Sequence, residues 1–303
     1  MRVAVTGSNG RLGRAMIEAL EESPYTGPAG PVAWTRADFD LDDPQDPGPL
    51  LDRARIEVVV HAAAWTDVDG CAREPETALR RNGAAVNVLA GACADRGIHL
   101  VLVSTNEVFD GLRMDGRGYA VDDPAVPPNP YGASKLAGEE AARAAYAPVG
   151  GRAPGDLDIV RTAWLFGEGA PDFPRKILAA AQRAREAGEP LRVVADEWGT
   201  PTSVVDLAEA IALLIAEREP GPAAVRHYVN AGIATRADWA REVLWLARMA
   251  VPVVEVPAST WPRASVPPAW AVLEPTSMAT GEPMRPWKQA LADYAPAMVR
   301  AAR

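Results

Sequence analysis

Along the first half of the chain, short and solidly apolar runs alternate with longer stripes of apolar residues spaced three and four apart. The short runs, at 2–6, 32–34, 58–60, 100–103 and 157–161, predict strands. The unbroken Val58-Val59-Val60 and Leu100-Val101-Leu102-Val103 are what a strand covered on both faces requires. Between them, Leu12, Ala15, Met16, Ala19 and Leu20 keep the i, i+3, i+4, i+7, i+8 rhythm of an amphipathic helix over 11–22. Helices are also predicted over 82–96 and from Pro130 to about Tyr146. The second opens on a proline in its first turn, where no backbone N–H is needed. This alternation predicts an α/β fold, a doubly wound parallel sheet with helices on both faces and a ligand edge at the carboxyl ends of its strands.

After Pro171 the rhythm changes. A helix over 173–187, a strand over 191–194 and a turn at Trp198-Gly199-Thr200-Pro201 lead into a very apolar helix over 204–216. A further sheet strand is predicted at 227–230. Thr235, with Asp238 three residues on, reads as a capped helix start, the helix running to Met249. Residues 251–286 are proline-rich and irregular. The economical division gives 1–170 and 190–232 to a dinucleotide-binding half. It gives 171–189 and 233–303 to a smaller, discontinuous α/β substrate lobe. There are no internal repeats.

Composition narrows the classes. The 303 residues are 48% hydrophobic and 23% charged, as in ordinary globular chains. Forty acidic against 31 basic residues, a net charge of −9, argue against a broad nucleic-acid or anionic-membrane footprint. No apolar run reaches the ~18 residues of a membrane span, and the N-terminus lacks a signal-peptide core, so a soluble, cytoplasmic protein is expected. Cys71 and Cys93, with His61, His99 and His227, are too scattered for a disulfide framework or a metal cluster, and no metal is expected.

The candidate chemistry falls at the predicted ligand edge. Gly7-Ser8-Asn9-Gly10-Arg11-Leu12-Gly13 joins the first strand to the first helix. Glycine permits a tight turn there, and lets a pyrophosphate approach the N–H groups at the helix start. The GxxGxxG loop therefore predicts a Rossmann-type dinucleotide site holding Gly7, Asn9, Gly10, Arg11, Leu12 and Gly13. The second strand ends in Trp34-Thr35-Arg36, without the acid that would hold a ribose 2′-hydroxyl. Arg36, with Arg11, suits a 2′-phosphate, so NADP(H) is preferred and NAD(H) remains possible. Tyr131 and Lys135, four apart on one predicted helix, share a face. An ammonium beside a phenol lowers its pKa from ~10 and fits it for proton transfer. Thr105, with Ser104, ends a buried strand, where a hydroxyl could hold a substrate carbonyl. Thr105, Tyr131 and Lys135 are the predicted catalytic group, the last two also touching the cofactor.

With these residues the chain resembles the extended short-chain dehydrogenase/reductases, and within them the dTDP-4-dehydrorhamnose reductase family. The resemblance spans nearly the whole chain. Besides the glycine loop it rests on Ala62-Ala63-Ala64-Trp65-Thr66-Asp67-Val68-Asp69 with Glu74-Pro75, and on Val108-Phe109-Asp110-Gly111. It continues in Pro130-Tyr131-Gly132 with Lys135-Leu136-Ala137-Gly138-Glu139, and in Arg161-Thr162-Ala163-Trp164. Asp196-Glu197-Trp198-Gly199-Thr200-Pro201-Thr202 and Arg285-Pro286-Trp287 complete it. It implies that Asp40 and Leu41 line the adenine pocket and that Ala62, Ala63 and Ala64 pass under the cofactor. It also implies that Val68 and Trp164 approach the sugar, and that a hydride from NAD(P)H reduces C4 of a dTDP-4-keto-6-deoxyhexose with Tyr131 as proton donor. A nucleotide-sugar substrate and a monomer or homodimer are expected.

The chain departs from the family in three places. Asn106-Glu107 stands where the family reads Asp-Tyr, which puts Glu107 beside the sugar. Asp172-Phe173 replaces an Asn-Phe pair, and Pro267-Pro268 replaces an Arg-Pro expected at the nucleotide diphosphate. Two rival readings follow. Thr105-Asn106-Glu107 also resembles the Thr-Asp-Glu of nucleotide-sugar 4,6-dehydratases, with Glu107 as base. The regulatory subunit of methionine adenosyltransferase is similar in sequence and binds NADP without catalysis.

Overall fold

The computed structural model describes residues 1–148, 154–218, 221 and 223–301. Six parallel strands form its central sheet: β1 (Val3–Thr6), β2 (Val32–Trp34), β3 (Val58–His61), β4 (His99–Thr105), β5 (Leu157–Thr162) and β6 (Ala224–His227). Their order is β6-β5-β4-β3-β1-β2, so the chain winds outward from β1 to β2 on one side and from β3 to β6 on the other. The direction reverses between β1 and β3, where a doubly wound sheet opens its crevice. The predicted fold class is the observed one.

Both faces of the sheet are covered, and so the central strands read as unbroken apolar runs. Val3, Val5, Val58, Val60, Val101 and Val103 point to one face, under the helices Arg11–Glu22 and Val204–Ala216. Ala4, Val59, Leu100, Leu102 and Ile159 point to the other, under Ala85–Ala94 and Pro130–Ala145. The stripe Leu12, Ala15, Met16 and Leu20 is buried as its spacing predicts.

A third cluster builds the lobe from the helices Phe173–Ala187, Arg236–Leu246 and Trp287–Ala301. Strand Leu191–Val194, grouped by sequence with the dinucleotide half, pairs in parallel with Val253–Val256 and buries Leu191 and Val193 in this cluster. Residues 251–286 thus hold a strand, a 3-10 turn at Ala258–Thr260, and bridges from Trp270 to Trp198 and from Leu273 to Tyr119.

Other expectations change in detail. The last sheet strand is Ala224–His227, not 227–230: at a sheet edge, half-buried residues suffice. Tyr228 and Val229 are buried beyond the strand's end instead. The helix predicted over 82–96 begins as a π-turn at Arg80–Ala84 and runs on as Ala85–Ala94. The short helices Gly48–Ala54, Val68–Arg73 and Pro75–Leu79 were not predicted, since five to seven residues are too few for a stripe to repeat. The C-terminal helix Trp287–Ala301 carries Pro296 inside it, which masks its pattern. Among the described residues, no helix is long and apolar enough to cross a membrane, and no cluster of His, Cys, Asp and Glu could hold a metal.

Candidate active site

A cavity of about 590 Å³ lies at the carboxyl ends of the strands, between the sheet and the lobe. Gly7, Gly10, Arg11, Leu12, Gly13, Ala62, Ala64, Val68, Thr105, Glu107, Tyr131, Lys135 and Trp164 all line it. An adjoining cavity of about 300 Å³ shares the glycine loop and is lined by Arg36, Asp40, Leu41 and Ala63. Of the predicted site residues only Asn9 lines neither; it is exposed at the turn of the loop.

The glycine loop is built for close approach. Gly7 has φ +64°, and a Cβ there would lie 2.8 Å from Ala63 Cα. A Cβ on Gly13 would lie 2.1 Å from the Gly7 carbonyl oxygen, so helix Arg11–Glu22 sits directly on the loop. That helix starts at Gly10 with no side-chain cap, leaving its first N–H groups for a ligand on the cavity side. Arg11 Nε, also in this wall, is buried without a hydrogen-bond partner. These features fit a dinucleotide diphosphate.

In the smaller cavity Arg36 is exposed, with Nε 3.2 Å from Asp40 Oδ2 and Nη2 2.5 Å from Asp42 Oδ2. Arg81 grips the same Asp42 at 2.6 and 2.9 Å and lies over the Trp65 ring. Sequence reasoning missed Arg81 because it enters from the π-turn, 45 residues from Arg36 in a segment with no motif. Arg80 Nη2 lies 3.4 Å from Asp42 Oδ1 as well, and of these three arginines Arg36 and Arg81 line the smaller cavity and fit a 2′-phosphate, which could take over their donors.

Register sets the reacting end. Thr105 and Thr162 are paired at the ends of β4 and β5, so their hydroxyls sit side by side, and Thr162 Oγ1 is buried without a partner. Tyr131, on the helix Pro130–Ala145, is buried beside them. Its pKa is pushed above the ordinary phenol value, first by burial and then by the Glu107 carboxylate, while a hydrogen bond with Thr105 opposes the shift. This reverses the direction expected from the Tyr–Lys spacing. Lys135 instead donates from Nζ to the Val103 carbonyl at 2.8 Å, and burial brings its pKa down to about 8. Below it, Glu139 accepts from Ser104 Oγ at 2.6 Å and takes a two-point grip from Arg161 at 2.9 and 2.7 Å.

Glu107 is half-buried in the cavity lining, and loss of solvent raises its pKa above the ordinary carboxyl value. Its Oε2 accepts from Asn129 Nδ2 at 2.7 Å, and Asn129 Oδ1 in turn caps the Tyr131 helix at Gly132 N, 2.9 Å away. Trp164 has φ +44°, left-handed for a non-glycine residue. Arg236, absent from the sequence reading, also lines the cavity. It follows Thr235, whose hydroxyl and Asp238 form a full capping box, and reads in sequence only as the first residue of a helix. Asp172 caps the lobe helix, accepting from Arg175 N at 3.0 Å, and Pro268 packs against Gly111.

The fold and the cavity define a doubly wound α/β protein with a glycine loop facing a Thr–Tyr–Lys group. The chain belongs to the RmlD substrate binding domain family, whose model matches residues 1–300. It is 36% identical over 303 residues to a dTDP-4-dehydrorhamnose reductase of Streptomyces griseus, covering 98% of this chain and 94% of the relative. It is 39% identical over 242 residues to a dTDP-4-keto-6-deoxy-D-glucose reductase of Streptomyces niveus, covering 79% of this chain and 76% of the relative. Among solved structures, dTDP-4-dehydrorhamnose reductase from Bacillus anthracis in complex with NADP superposes with a TM-score of 0.83 at 28% identity, covering 97% of this chain and 98% of that one.

Proposed function

We propose that the chain is an NADP(H)-dependent reductase of the C4 ketone of a dTDP-4-keto-6-deoxyhexose, taking dTDP-4-dehydro-L-rhamnose to dTDP-L-rhamnose. The observation that supports this reading is that Thr105, Tyr131 and Lys135 line the same cavity as the glycine loop. The reductases named among its relatives and the NADP held by the Bacillus anthracis structure support it. When bound, the nicotinamide supplies a hydride; the chain's residues do the rest. Gly10 and the first turn of its helix, with Arg11, hold the diphosphate, and Arg36 and Arg81 hold the 2′-phosphate. NAD(H) would forgo those last contacts. Thr105 donates to the ketone oxygen and orients it. Tyr131, kept protonated by burial and by Glu107, gives its proton to that oxygen as negative charge develops. Lys135 places a positive charge beneath the reacting group. Trp164 and Val68 flank the sugar, and the lobe shields it from water. A cytoplasmic location and a monomer or homodimer complete the reading.

The test is oxidation of NADPH, followed by absorbance, with a panel of dTDP-4-keto-6-deoxy sugars. One NADPH consumed per ketone reduced is the expected result. Conversion of dTDP-glucose without net consumption would instead mark a dehydratase, and NADPH binding with no turnover a binding module. Y131F should lower kcat by ~10²–10⁴-fold while NADPH affinity changes little, because the lost proton transfer acts in the transition state. Near wild-type turnover in Y131F would remove Tyr131 from that role.

A further inference from the structure

Arg236 stands apart from the other cations of the cavity. Arg11 donates from Nη2 to the Ala170 carbonyl at 2.6 Å beside the glycine loop, and Lys135 donates to Val103. Arg236 enters from the lobe side and lies flat on Trp164, its central carbon 3.6 Å from the ring centroid. Trp164 is itself fixed: a Cβ on Gly199 would come within 2.5 Å of its ring, and its backbone is held left-handed. Among the described residues, the guanidinium makes a single hydrogen bond, from Nε to Glu197 Oε2 at 3.3 Å. Among those residues its two terminal nitrogens have no hydrogen-bond partner, and Arg236 lines the cavity.

A half-buried guanidinium stacked on a tryptophan and paired with Glu197 through Nε alone keeps its two terminal nitrogens for a ligand, and its lowered pKa registers the cost of burial. Its free edge is a planar fork, which fits two oxygens of a phosphate better than one sugar hydroxyl. Two acids lie within range of its charge: Glu197, which takes Nε and leaves the terminal nitrogens free, and Glu107, which is held by Asn129. The cofactor's own diphosphate is assigned above to the glycine loop, which lines the same cavity. We infer that Arg236, braced on Trp164, binds the diphosphate of the nucleotide sugar and so sets the substrate's direction in the cavity, with the reducible ketone at Tyr131. This rests on the substrate being a nucleotide sugar, as proposed above.

The test compares dTDP with dTMP, which lacks the second phosphate, by titration calorimetry on the NADPH-loaded chain. R236Q should weaken dTDP by ~10–100-fold and dTMP by no more than ~3-fold, the loss expected for charge-assisted hydrogen bonds. R236K, which keeps a charge but not the fork, should fall between, and NADPH affinity should hold in both. If R236Q does not fold, R236K alone must still lower the ratio of dTDP to dTMP affinity. An unchanged ratio, or equal weakening of both ligands, overturns the inference. Failure of NADPH oxidation with keto sugars, while dTDP binding still depends on Arg236, would sink the reductase reading and leave this one standing. A wild-type chain that binds neither ligand would overturn the inference whatever its turnover.

Discussion

At the scale of single residues, the reacting wall depends on what burial does to each charge. His61 is held neutral, its pKa brought down to about 3 by burial and by Lys135, with Nδ1 2.8 Å from Thr6 Oγ1. Lys135, brought down to about 8, titrates close to neutrality. Its ammonium is present below pH about 8 and lost above it, whereas the Tyr131 phenol keeps its proton well past that point. Turnover should therefore decline as pH rises through about 8, and a decline starting only near pH 10 would contradict this assignment. The same shift predicts stability with the opposite sign. The folded pKa of about 8 lies below the ordinary lysine value of 10.5, so below pH 8 the buried ammonium costs stability, and the cost fades between pH 8 and 10.5. K135M should be more stable than the wild type at pH 7 by roughly 1–3 kcal/mol, less the bond lost to Val103, and the gain should shrink toward pH 10. Urea unfolding at pH 7 and pH 9.5 measures it.

At the scale of elements, the start of helix Pro130–Ala145 joins structure to chemistry. Tyr131, Lys135 and Glu139 fall on one face by their spacing of four, and the pairing was legible in sequence for that reason. What sequence did not reveal is how the helix is aimed. A Cβ on Gly132 would lie 2.0 Å from the Glu107 carbonyl oxygen, so the helix start presses on the turn after β4. Asn129 bonds both to that turn's Glu107 and to the helix at Gly132. N129A should cost about 1–2 kcal/mol, as for a lost helix cap, and lower kcat while leaving NADPH affinity unchanged. Full turnover in a destabilised N129A would show that the cap serves stability alone. The helices Phe173–Ala187 and Val204–Ala216 were read to the residue, because Asp172 and Ser203 cap them and their apolar positions run for three turns or more.

At the scale of the molecule, the C-terminal segment straps the lobe to the dinucleotide half. Ser265 N donates to Asp69 Oδ1 at 2.9 Å, Arg263 lies 3.5 Å from the same carboxylate, and the Val266 carbonyl accepts from Asn129 at 3.1 Å. Further along, Arg285 grips Asp206 at 2.9 and 2.8 Å, and Asn230 ties the Arg285 carbonyl to Ser203. Asp69 belongs to the segment that by resemblance flanks the sugar, yet its contacts hold the strap. D69A should speed tryptic cleavage after Arg263 several-fold and raise the KM for the nucleotide sugar, with NADPH affinity unchanged. An unchanged cleavage rate would mean the strap is held elsewhere.

The sequence by itself determined the fold class, the glycine loop and the Thr–Tyr–Lys group. These depend on local rules: apolar runs of strand length, glycines at a strand-to-helix turn, and two residues one helical turn apart. The tertiary structure alone decided the direction of the tyrosine's pKa shift, since burial and Glu107 outweigh a lysine whose ammonium bonds to Val103. It alone brought Arg236 over Trp164 and Arg81 beside Arg36, pairs separated by 72 and 45 residues in the chain. No periodicity records such meetings, because they arise from how whole elements cross rather than from how any one of them forms.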